Sequence, residues 1–448
     1  MRIVNVNDVG IKGVEALLKK AAFDEVELSP KIREGNRKLF GADLTASQVV
    51  DRIVSEVREE GDAAVIKYTK LLDGTDFTPE EFLAGEADFR AAEEAADPAV
   101  MASLTKAIAN VRRYHEEQKP RSWLTNREKG SILGQTVTPL ERVGIYVPGG
   151  TAAYPSSVVM NAVPAAVAGV GEIVMMCPPR DGKLNPYVLL AARAIGVGRI
   201  YKIGGAQAVA ALAFGTETIP RVDKITGPGN IFVTLAKKAV YGHVDIDMLA
   251  GPSEILIVAD EKADPVYTAA DMLSQAEHDP LASSIVITNS ATLAAKVAQE
   301  AERQLALLPR KAIAGASLER NGLIIVAEDI RQAIDFANVS APEHLELLTE
   351  QPFQLLPYIR HAGAVFLGAY SPEPLGDYFA GPDHILPTGG TARFYSVLNV
   401  ETFMKRTSFI SYTQPALADV AEDIIRLAKT EGLEAHANAI RLRRAEKI

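Results

Sequence analysis

The chain has 448 residues, of which 48% are hydrophobic and 23% are charged, and this is ordinary for a soluble globular protein of about two or three domains. Its net charge of -10 argues against nucleic acid or an anionic membrane as the main partner. A single cysteine, Cys177, excludes an internal disulfide and a thiolate zinc site, and it favours a reducing cytoplasm.

Residues 1 to about 118 are predicted to be mostly helical, because apolar residues recur there with helical spacing in the runs 46–57, 63–72 and 89–117. The N-terminus lacks the apolar core of a signal peptide. The longest apolar stretch, 158–170, is interrupted by Asn161 and Pro164. We therefore expect no membrane-spanning segment.

From residue 143 onward, short β-rich runs alternate with helical runs. Strands are predicted at 143–146, 172–176, 199–203, 224–226, 254–258, 284–288, 323–326 and 364–366. Helices are predicted at 155–168, 186–195, 208–213, 231–240, 266–276, 292–304, 330–337 and 417–430, with a short charged helix from 435. This alternation predicts an α/β protein with parallel sheets and helices on both faces.

Several predicted strands end in glycine-rich turns, at 146–150, 204–207, 227–230 and 251–254. Ligands of such sheets bind at the carboxyl ends of strands, where glycine lets backbone amides approach a phosphate. Three of the turns carry a polar side chain, Tyr146, Gln207 or Asn230, which favours a nucleotide site. The G-x-G-x-x-G fingerprint is absent, and any one of these glycines can be a simple turn residue.

Candidate metal ligands lie in the last part of the chain: Gln275, His278, Asp377 and His436. An amide, two imidazoles and a carboxylate suit a catalytic zinc ion. Gln275 and His278 are three positions apart on a predicted helix, so they are expected to share one face. An isolated pair of this kind is also typical of a solvated helix face.

The adjacent residues Glu343 and His344 offer acid–base groups beyond the metal set. We expect them to reach a pocket from a loop or a helix start, where Pro342 is well tolerated. Alternatively, His344 with Leu345 belongs to the edge of the core. Acid–base groups in addition to metal ligands favour an enzyme.

Longer motifs give the chain a close resemblance to histidinol dehydrogenase, from about residue 40 to the last helix. These motifs are GGAQAVAAL (204–212), TGPGN (226–230), AGPSE (250–254), SQAEH (274–278), PEHLE (342–346), LPTGGTARF (386–394) and EGLEAH (431–436).

The resemblance implies a role for each candidate residue. It makes Gln275, His278, Asp377 and His436 zinc ligands, Glu343 and His344 the acid–base pair, and Tyr146, Gln207 and Asn230 NAD contacts. It assigns Ser253, His384 and Glu431 to the substrate L-histidinol, together with His344 and the zinc ligands. Asp383 stands where the family pattern leads us to expect Asn, and it could shift the pKa of His384.

The resemblance also implies two incomplete Rossmann-like domains with small helical terminal segments. The predicted limits are 1–41 for the N-terminal segment, 42–145 with 253–395 for the large catalytic domain, 146–252 for the NAD-binding domain and 396–448 for the C-terminal segment. In a homodimer, that last segment would carry His436 and Glu431 into the partner subunit's site.

The implied reaction oxidises L-histidinol through L-histidinaldehyde to L-histidine and reduces two NAD. Three other functions fit parts of the pattern. A zinc hydrolase would also use a glutamate to activate water, but it would not need the glycine-rich turns. A zinc alcohol dehydrogenase for another small polar alcohol, such as a sulfonated diol, is the closer alternative, and the motif at 388–394 favours histidinol over it. An NAD-binding sensor would not need an acid–base pair.

Overall fold

The computed structural model describes residues 1–20, 30–149 and 154–444. By the density of contacts, the chain forms two compact units. The first unit comprises Met1–Gln118 and Leu140–Phe403, and the second comprises Lys119–Pro139 and Met404–Ile448.

Strands in the described residues are numbered in chain order. They are β1 Arg2–Asn5, β2 Trp123–Asn126, β3 Ile132–Pro139, β4 Arg142–Tyr146, β5 Glu172–Met176, β6 Arg199–Tyr201, β7 Lys224–Thr226, β8 Asp245–Ile246, β9 Glu254–Ala259, β10 Ser283–Thr288, β11 Gly322–Val326, β12 His344–Leu348, β13 Ala364–Leu367 and β14 Met404–Ser411.

Helices are numbered in the same way. They are α1 Val6–Leu18, α2 Pro30–Phe40, α3 Ala46–Glu60, α4 Asp62–Asp73, α5 Glu86–Ala95, α6 Pro98–Glu116, α7 Pro155–Ala168, α8 Pro186–Ile195, α9 Gly205–Phe214, α10 Ile231–Val240, α11 Pro265–Ala276, α12 Ala291–Leu305, α13 Lys311–Asn321, α14 Ile330–Ser340, α15 Pro352–Leu355, α16 Glu373–Leu375, α17 Gln414–Thr430 and α18 Glu434–Arg444.

Two parallel sheets form the first unit. The six-stranded sheet has the order β1-β11-β10-β9-β12-β13, and the five-stranded sheet has the order β6-β5-β4-β7-β8. In each sheet the chain order reverses beside a central strand, between β9 and β12 in one and between β4 and β7 in the other. The predicted α/β class with two Rossmann-like sheets is confirmed, while the predicted domain limits stay predictions.

Buried apolar side chains form a core for each sheet. One core joins the five-stranded sheet to α3, α4, α9 and α10, and it contains Ile53, Tyr68 and Leu212. Two others cover the opposite faces of the six-stranded sheet, with Leu256 in one and Ile257 in the other. Because β9 is buried on both faces, its sequence is continuously apolar after Glu254.

Several elements differ from the sequence prediction. The sequence does not predict β1 or β12, and it predicts one helix over 89–117 where the structure has α5 and α6. The break falls before Pro98, where Asp97 caps α6 by accepting from the backbone N–H of Ala99. The second unit contains an unpredicted antiparallel sheet, β14-β3-β2, together with α17 and α18.

None of the helices in the described ranges is long and apolar enough to cross a membrane.

Candidate active site

Glu343 and His344 lie where α14 gives way to β12. The helix ends at Ser340 and is capped by Ala341, which has a left-handed φ of 48°, and Pro342 starts the extended chain. β12 then pairs with β9 and β13, with His344 opposite Ile255 and Ala364. Glu343 therefore lies in a loop, as predicted, while His344 begins a strand that the sequence did not predict.

The Glu343 carboxylate is buried, with 6% of the residue exposed. Its Oε2 accepts a hydrogen bond from the backbone N–H of Glu254 at 2.8 Å. Burial raises the pKa of Glu343 to about 7, although the attraction of His344 opposes the rise. Near neutral pH this carboxyl group can therefore both accept and release a proton.

The His344 ring is held in one orientation by the backbone. Its Nδ1 lies 3.1 Å from the carbonyl oxygen of Glu254, and because a carbonyl only accepts, Nδ1 carries the hydrogen. Nε2 then faces the Oδ1 of Asp377 at 3.7 Å. Burial lowers the pKa of His344, but Glu343 and Asp377 outweigh it and raise the pKa to about 10.

Gln275 and His278 lie at the end of α11. Gln275 is fully buried, and in the part of the chain that the structure describes neither of its amide atoms has a hydrogen-bond partner. Leaving such an amide unpaired costs about 1–3 kcal/mol, so an absent ligand is the natural partner. The helix ends at Ala276, and a turn continues it, in which the backbone N–H of His278 donates to the carbonyl oxygen of Gln275 at 3.2 Å.

Asp377 completes a cluster of candidate metal ligands. One ligand atom each of His278, Asp377 and Glu373 lies within 4.8 Å of the other two. Burial raises the pKa of Asp377, but His344 and His384 outweigh it and hold the pKa well below its usual range. An imidazole, carboxylates and a buried amide suit zinc, so the residues present fit a zinc ion.

His384 and Ser253 border the same region. Nδ1 of His384 lies 3.0 Å from the backbone oxygen of Asp377, and Ser253 directly precedes Glu254 on β9. A cavity of about 280 Å³ is lined by residues that include Phe366, Asp377 and His384. The glycine-rich turn before Ser253 lies at the amino end of β9, so the prediction that it follows a strand's carboxyl end was wrong.

Asp383 is paired with a second histidine, His115. Its Oδ2 lies 3.7 Å from Nε2 of the buried His115 on α6, and burial raises the pKa of Asp383 well above its usual range. Burial also lowers the pKa of His384, while Asp377 opposes the fall. The perturbation expected at His384 therefore comes from burial and Asp377 rather than from Asp383.

The predicted nucleotide residues lie at the carboxyl edge of the five-stranded sheet. Tyr146 ends β4, and its hydroxyl accepts from the backbone N–H of Gly205 at 3.0 Å. The amide of Gln207 donates to Asp73 Oδ2 at 3.3 Å. Asn230 caps α10 by accepting from the N–H groups of Phe232 and Val233.

The turn after β7 is packed tightly against the end of β4. Gly227 has a φ of +111°, and a Cβ there would lie 2.1 Å from the carbonyl oxygen of Tyr146. Only glycine fits this position. The turn between Gly227 and Asn230 therefore lies at the switch point of the sheet, where ligands of such folds bind.

Glu431 and His436 belong to the second unit. Glu431 ends α17, His436 lies in the first turn of α18, and both are exposed to solvent. The first unit brings together Glu343, His344, His278, Asp377 and His384. Sequence reasoning missed Glu373, whose spacing of four positions from Asp377 was the available signal.

Comparison with known proteins gives one consistent family. A family model described as histidinol dehydrogenase matches residues 38–444. The histidinol dehydrogenase of Heliobacterium mobile is 56% identical over 402 residues, which cover 90% of this chain and 94% of that protein. The enzyme of the same name from Carboxydothermus hydrogenoformans is 56% identical over 424 residues, covering 95% of this chain and 99% of the relative.

The likeness extends to three dimensions. The crystal structure of histidinol dehydrogenase from Elizabethkingia anophelis matches with a TM-score of 0.90 and 35% identity, over 99% of this chain and 98% of that one. Sequence motifs, fold and the grouping of Glu343 and His344 beside a metal-type cluster thus agree. The chain belongs to the histidinol dehydrogenase family, and so to the oxidoreductases of histidine biosynthesis.

Proposed function

We propose that this enzyme oxidises L-histidinol through L-histidinaldehyde to L-histidine, reducing two NAD with the help of a bound zinc ion. The observation that carries the proposal is the pairing of two buried acid–base groups, Glu343 and His344, beside the ligand cluster at Asp377. Two successive oxidations need a base for the alcohol and a base for water. The pair offers both.

The zinc site would use Gln275, His278 and Asp377 of one chain and the partner subunit's His436. When bound, the ion would anchor the nitrogen atoms of the substrate and so orient it. The buried, unpaired amide of Gln275 supports this assignment. Ser253, His384 and the partner subunit's Glu431 would bind the remaining polar groups of L-histidinol.

His344 would act in the first oxidation. Because Nδ1–H is held by the carbonyl of Glu254, Nε2 is the atom that can take the hydroxyl proton of the substrate. Glu343 and Asp377 raise the pKa of the ring. A cation bound at Asp377 would offset that carboxylate and lower the pKa, so that Nε2 would be free of a proton and able to act as a base. Nε2 would hold the hydroxyl proton of the substrate while the substrate carbon is oxidised.

Glu343 would act in the second oxidation by removing a proton from the water that adds to the aldehyde. Its pKa of about 7 matches a base that works near neutral pH. The backbone N–H of Glu254 fixes the carboxylate position through Oε2. Because Glu343 and His344 are adjacent on the chain, the aldehyde does not need to leave between the two steps.

NAD would bind at Tyr146, Gln207 and Asn230 and accept a hydride in each oxidation. Support comes from their shared position at the carboxyl edge of β4, β6 and β7. Gly227 has no side chain and packs closely against Tyr146, so no side chain at position 227 occupies this edge of the sheet. In a glycine-rich turn before a helix, the backbone N–H groups can approach and bind a pyrophosphate.

We also propose a cytoplasmic homodimer with shared active sites. The second unit exposes large apolar side chains, among them Trp123, Leu124, Ile410, Leu427 and Leu442. Exposed apolar side chains in such number are typical of a surface that another chain covers. The single cysteine, Cys177, is buried, which suits a reducing compartment.

One assay tests the reaction. Purified protein is incubated with L-histidinol and NAD, with and without a zinc chelator, and NADH and L-histidine are both measured. We expect two NADH for each L-histidine, no free aldehyde, and loss of activity with the chelator. A ratio of one, or aldehyde released to solution, would contradict the proposed two-step reaction.

A further inference from the structure

A buried ion pair, formed by Lys237 and Asp247, contacts the glycine-rich turn 227–230 after β7. The two side chains are only 4% and 1% exposed. Lys237 belongs to α10, and Asp247 directly follows β8. Taking two charges out of water can cost more free energy than their attraction returns, so a buried ion pair is weak evidence for a role in stability. The contacts of this pair indicate a different role.

Both charged groups bind the backbone of Gly227. Its N–H donates to Oδ2 of Asp247 at 2.7 Å, and its carbonyl oxygen accepts from Nζ of Lys237 at 3.0 Å. Gly227 has a φ of +111° and follows the last residue of β7. Because buried backbone groups need hydrogen-bond partners, the ion pair provides the partners that a neighbouring strand would otherwise supply.

The two members of the ion pair are themselves held in place. Oδ1 of Asp247 accepts from the backbone N–H of Met248 at 2.6 Å, and the N–H of Asp247 donates to the carbonyl oxygen of Ile225 on β7 at 3.2 Å. Lys237 lies two helical turns after Asn230, and side chains on a helix lean toward its amino end, so the ammonium group reaches back to the turn. The pair therefore ties the start of α10 to the end of β7.

Two other N–H groups of the turn have no protein acceptor. Among the residues that the structure describes, the backbone N–H groups of Gly229 and Asn230 donate to no other group, while the Asn230 side chain caps α10. N–H groups at the start of a helix are the groups that bind a phosphate. Their directions depend on the peptide planes that follow Gly227.

We propose that Lys237 and Asp247 are positioning residues for NAD, because through the backbone of Gly227 they hold the turn 227–230 in the conformation that binds the pyrophosphate. This inference rests on the proposed NAD function and deepens it. Neither side chain needs to contact the cofactor. The ion pair then contributes to the geometry of the turn rather than to the stability of the fold.

The test compares two double variants of the full-length protein. Lys237→Met with Asp247→Asn removes both buried charges and leaves neither one unpaired. Lys224→Met with Asp245→Asn is the matched control. Lys224 also pairs with an aspartate, Asp245 at 2.8 Å, and also donates to a backbone carbonyl, that of Thr402. The control pair lies at the starts of β7 and β8, whereas the turn follows the end of β7.

Binding and catalysis are measured separately. Titration calorimetry gives the dissociation constant for NAD, and steady-state assays give kcat and both KM values. We expect loss of the Lys237–Asp247 pair to weaken NAD binding by about tenfold or more, since small displacements of a binding group are costly. In the same variant, kcat at saturating NAD and KM for L-histidinol should change by about threefold or less. The control should change NAD affinity by about twofold or less, as for a substitution away from the site.

Two results would overturn the inference. One is an equal dissociation constant for NAD in the two double variants. The other is a change in kcat and in KM for L-histidinol as large as the loss of NAD affinity, because a general loosening of the fold explains that result. If the double variant at 237 and 247 does not fold, as judged by circular dichroism, then Asp247→Asn alone decides, and an unchanged affinity for NAD in that variant would again overturn the inference.

The unsubstituted protein separates this inference from the proposed function. If it neither binds NAD nor reduces NAD with L-histidinol, then the proposed function fails and the positioning role fails with it. If it does both, and loss of the Lys237–Asp247 pair changes NAD affinity no more than the control does, then only the positioning role fails.

Discussion

The two parallel sheets of the first unit carry their sites at opposite ends. In the five-stranded sheet, Tyr146 and Gly227 lie at the carboxyl ends of β4 and β7, at the switch point. In the six-stranded sheet, Glu254 and His344 begin β9 and β12, so the proposed catalytic group lies at the amino ends. The general rule that ligands bind at the carboxyl ends of strands in open α/β sheets therefore agrees with the first candidate site and not with the second.

The two sites also differ in how their polar side chains are satisfied. Tyr146 and Asn230 have hydrogen bonds within the protein, and Gln207 donates to Asp73, although Gln207 Oε1 is buried without a partner among the described residues. Gln275 and Nε2 of His344 have none among the described residues. Because a buried unpaired group costs free energy, its presence marks a position where a ligand completes the structure. At the nucleotide edge one buried atom, Gln207 Oε1, is unpaired among the described residues, whereas at the other site both amide atoms of Gln275 and Nε2 of His344 are.

The largest expected effect tests the catalytic end, by which we mean the amino ends of β9 and β12 with Glu343 and His344. We expect His344→Ala to lower kcat for L-histidinol by about 100- to 10,000-fold, since general base catalysis is worth this much. The dissociation constant for NAD should stay unchanged, because His344 belongs to the other sheet. Stopped-flow kinetics and NAD titration measure the two quantities. Weakened NAD binding would show that the two ends are not independent.

The next prediction tests whether Glu343 and His344 act in different oxidation steps. We expect Glu343→Gln to lower the rate with L-histidinaldehyde by about 100-fold, because glutamine keeps the shape but cannot take a proton from water. Oxidation of L-histidinol to the aldehyde, followed in a single turnover, should be spared to a much greater extent. Equal losses with both substrates would mean that Glu343 does not act in the second step alone.

A third prediction concerns the nucleotide end, by which we mean the carboxyl ends of β4 and β7 with Tyr146 and Gly227. Gly227→Ala should raise KM for NAD by about tenfold or more, because a Cβ would lie 2.1 Å from the oxygen of Tyr146 and displace that strand end. Gly242→Ala is the matched control, since Gly242 also has a positive φ, +100°, but has nothing within 4 Å of its Cβ. The control should lose about 1–2 kcal/mol of stability and keep its KM.

Both variants can be followed by thermal unfolding and steady-state kinetics. If Gly242→Ala raises KM for NAD as much as Gly227→Ala, then general destabilisation explains the result and the special fit beside Tyr146 does not.

The sequence predicts the nucleotide end better than the catalytic end, for a local reason. Gly227, Asn230 and the strand before them are consecutive, so composition alone indicates the turn. β12 was missed because its residues, His344 to Leu348, include no β-branched side chain, and the polar–apolar alternation from His344 to Leu347 is short. The contact between Gln207 and Asp73 joins residues 134 positions apart, and no local pattern indicates it.

The final prediction concerns the second unit. In the proposed dimer, the partner subunit's His436 contributes to the catalytic site and not to the nucleotide site. Two inactive proteins are mixed under conditions that allow subunit exchange: His436→Ala, and Glu343→Gln combined with His344→Ala. With equal amounts and random exchange, half of the dimers are mixed, and one of the two sites in each mixed dimer is intact. We therefore expect about a quarter of full activity to return.

Exchange itself is followed by mass spectrometry of differently tagged chains, so that a failure to mix is recognised. Recovered activity should be lost on addition of chelator, while NAD binding in both parent proteins should equal that of the unsubstituted enzyme. Proven exchange without recovery would mean that each chain uses its own His436. In that case the catalytic end, like the nucleotide end, would be built from a single chain.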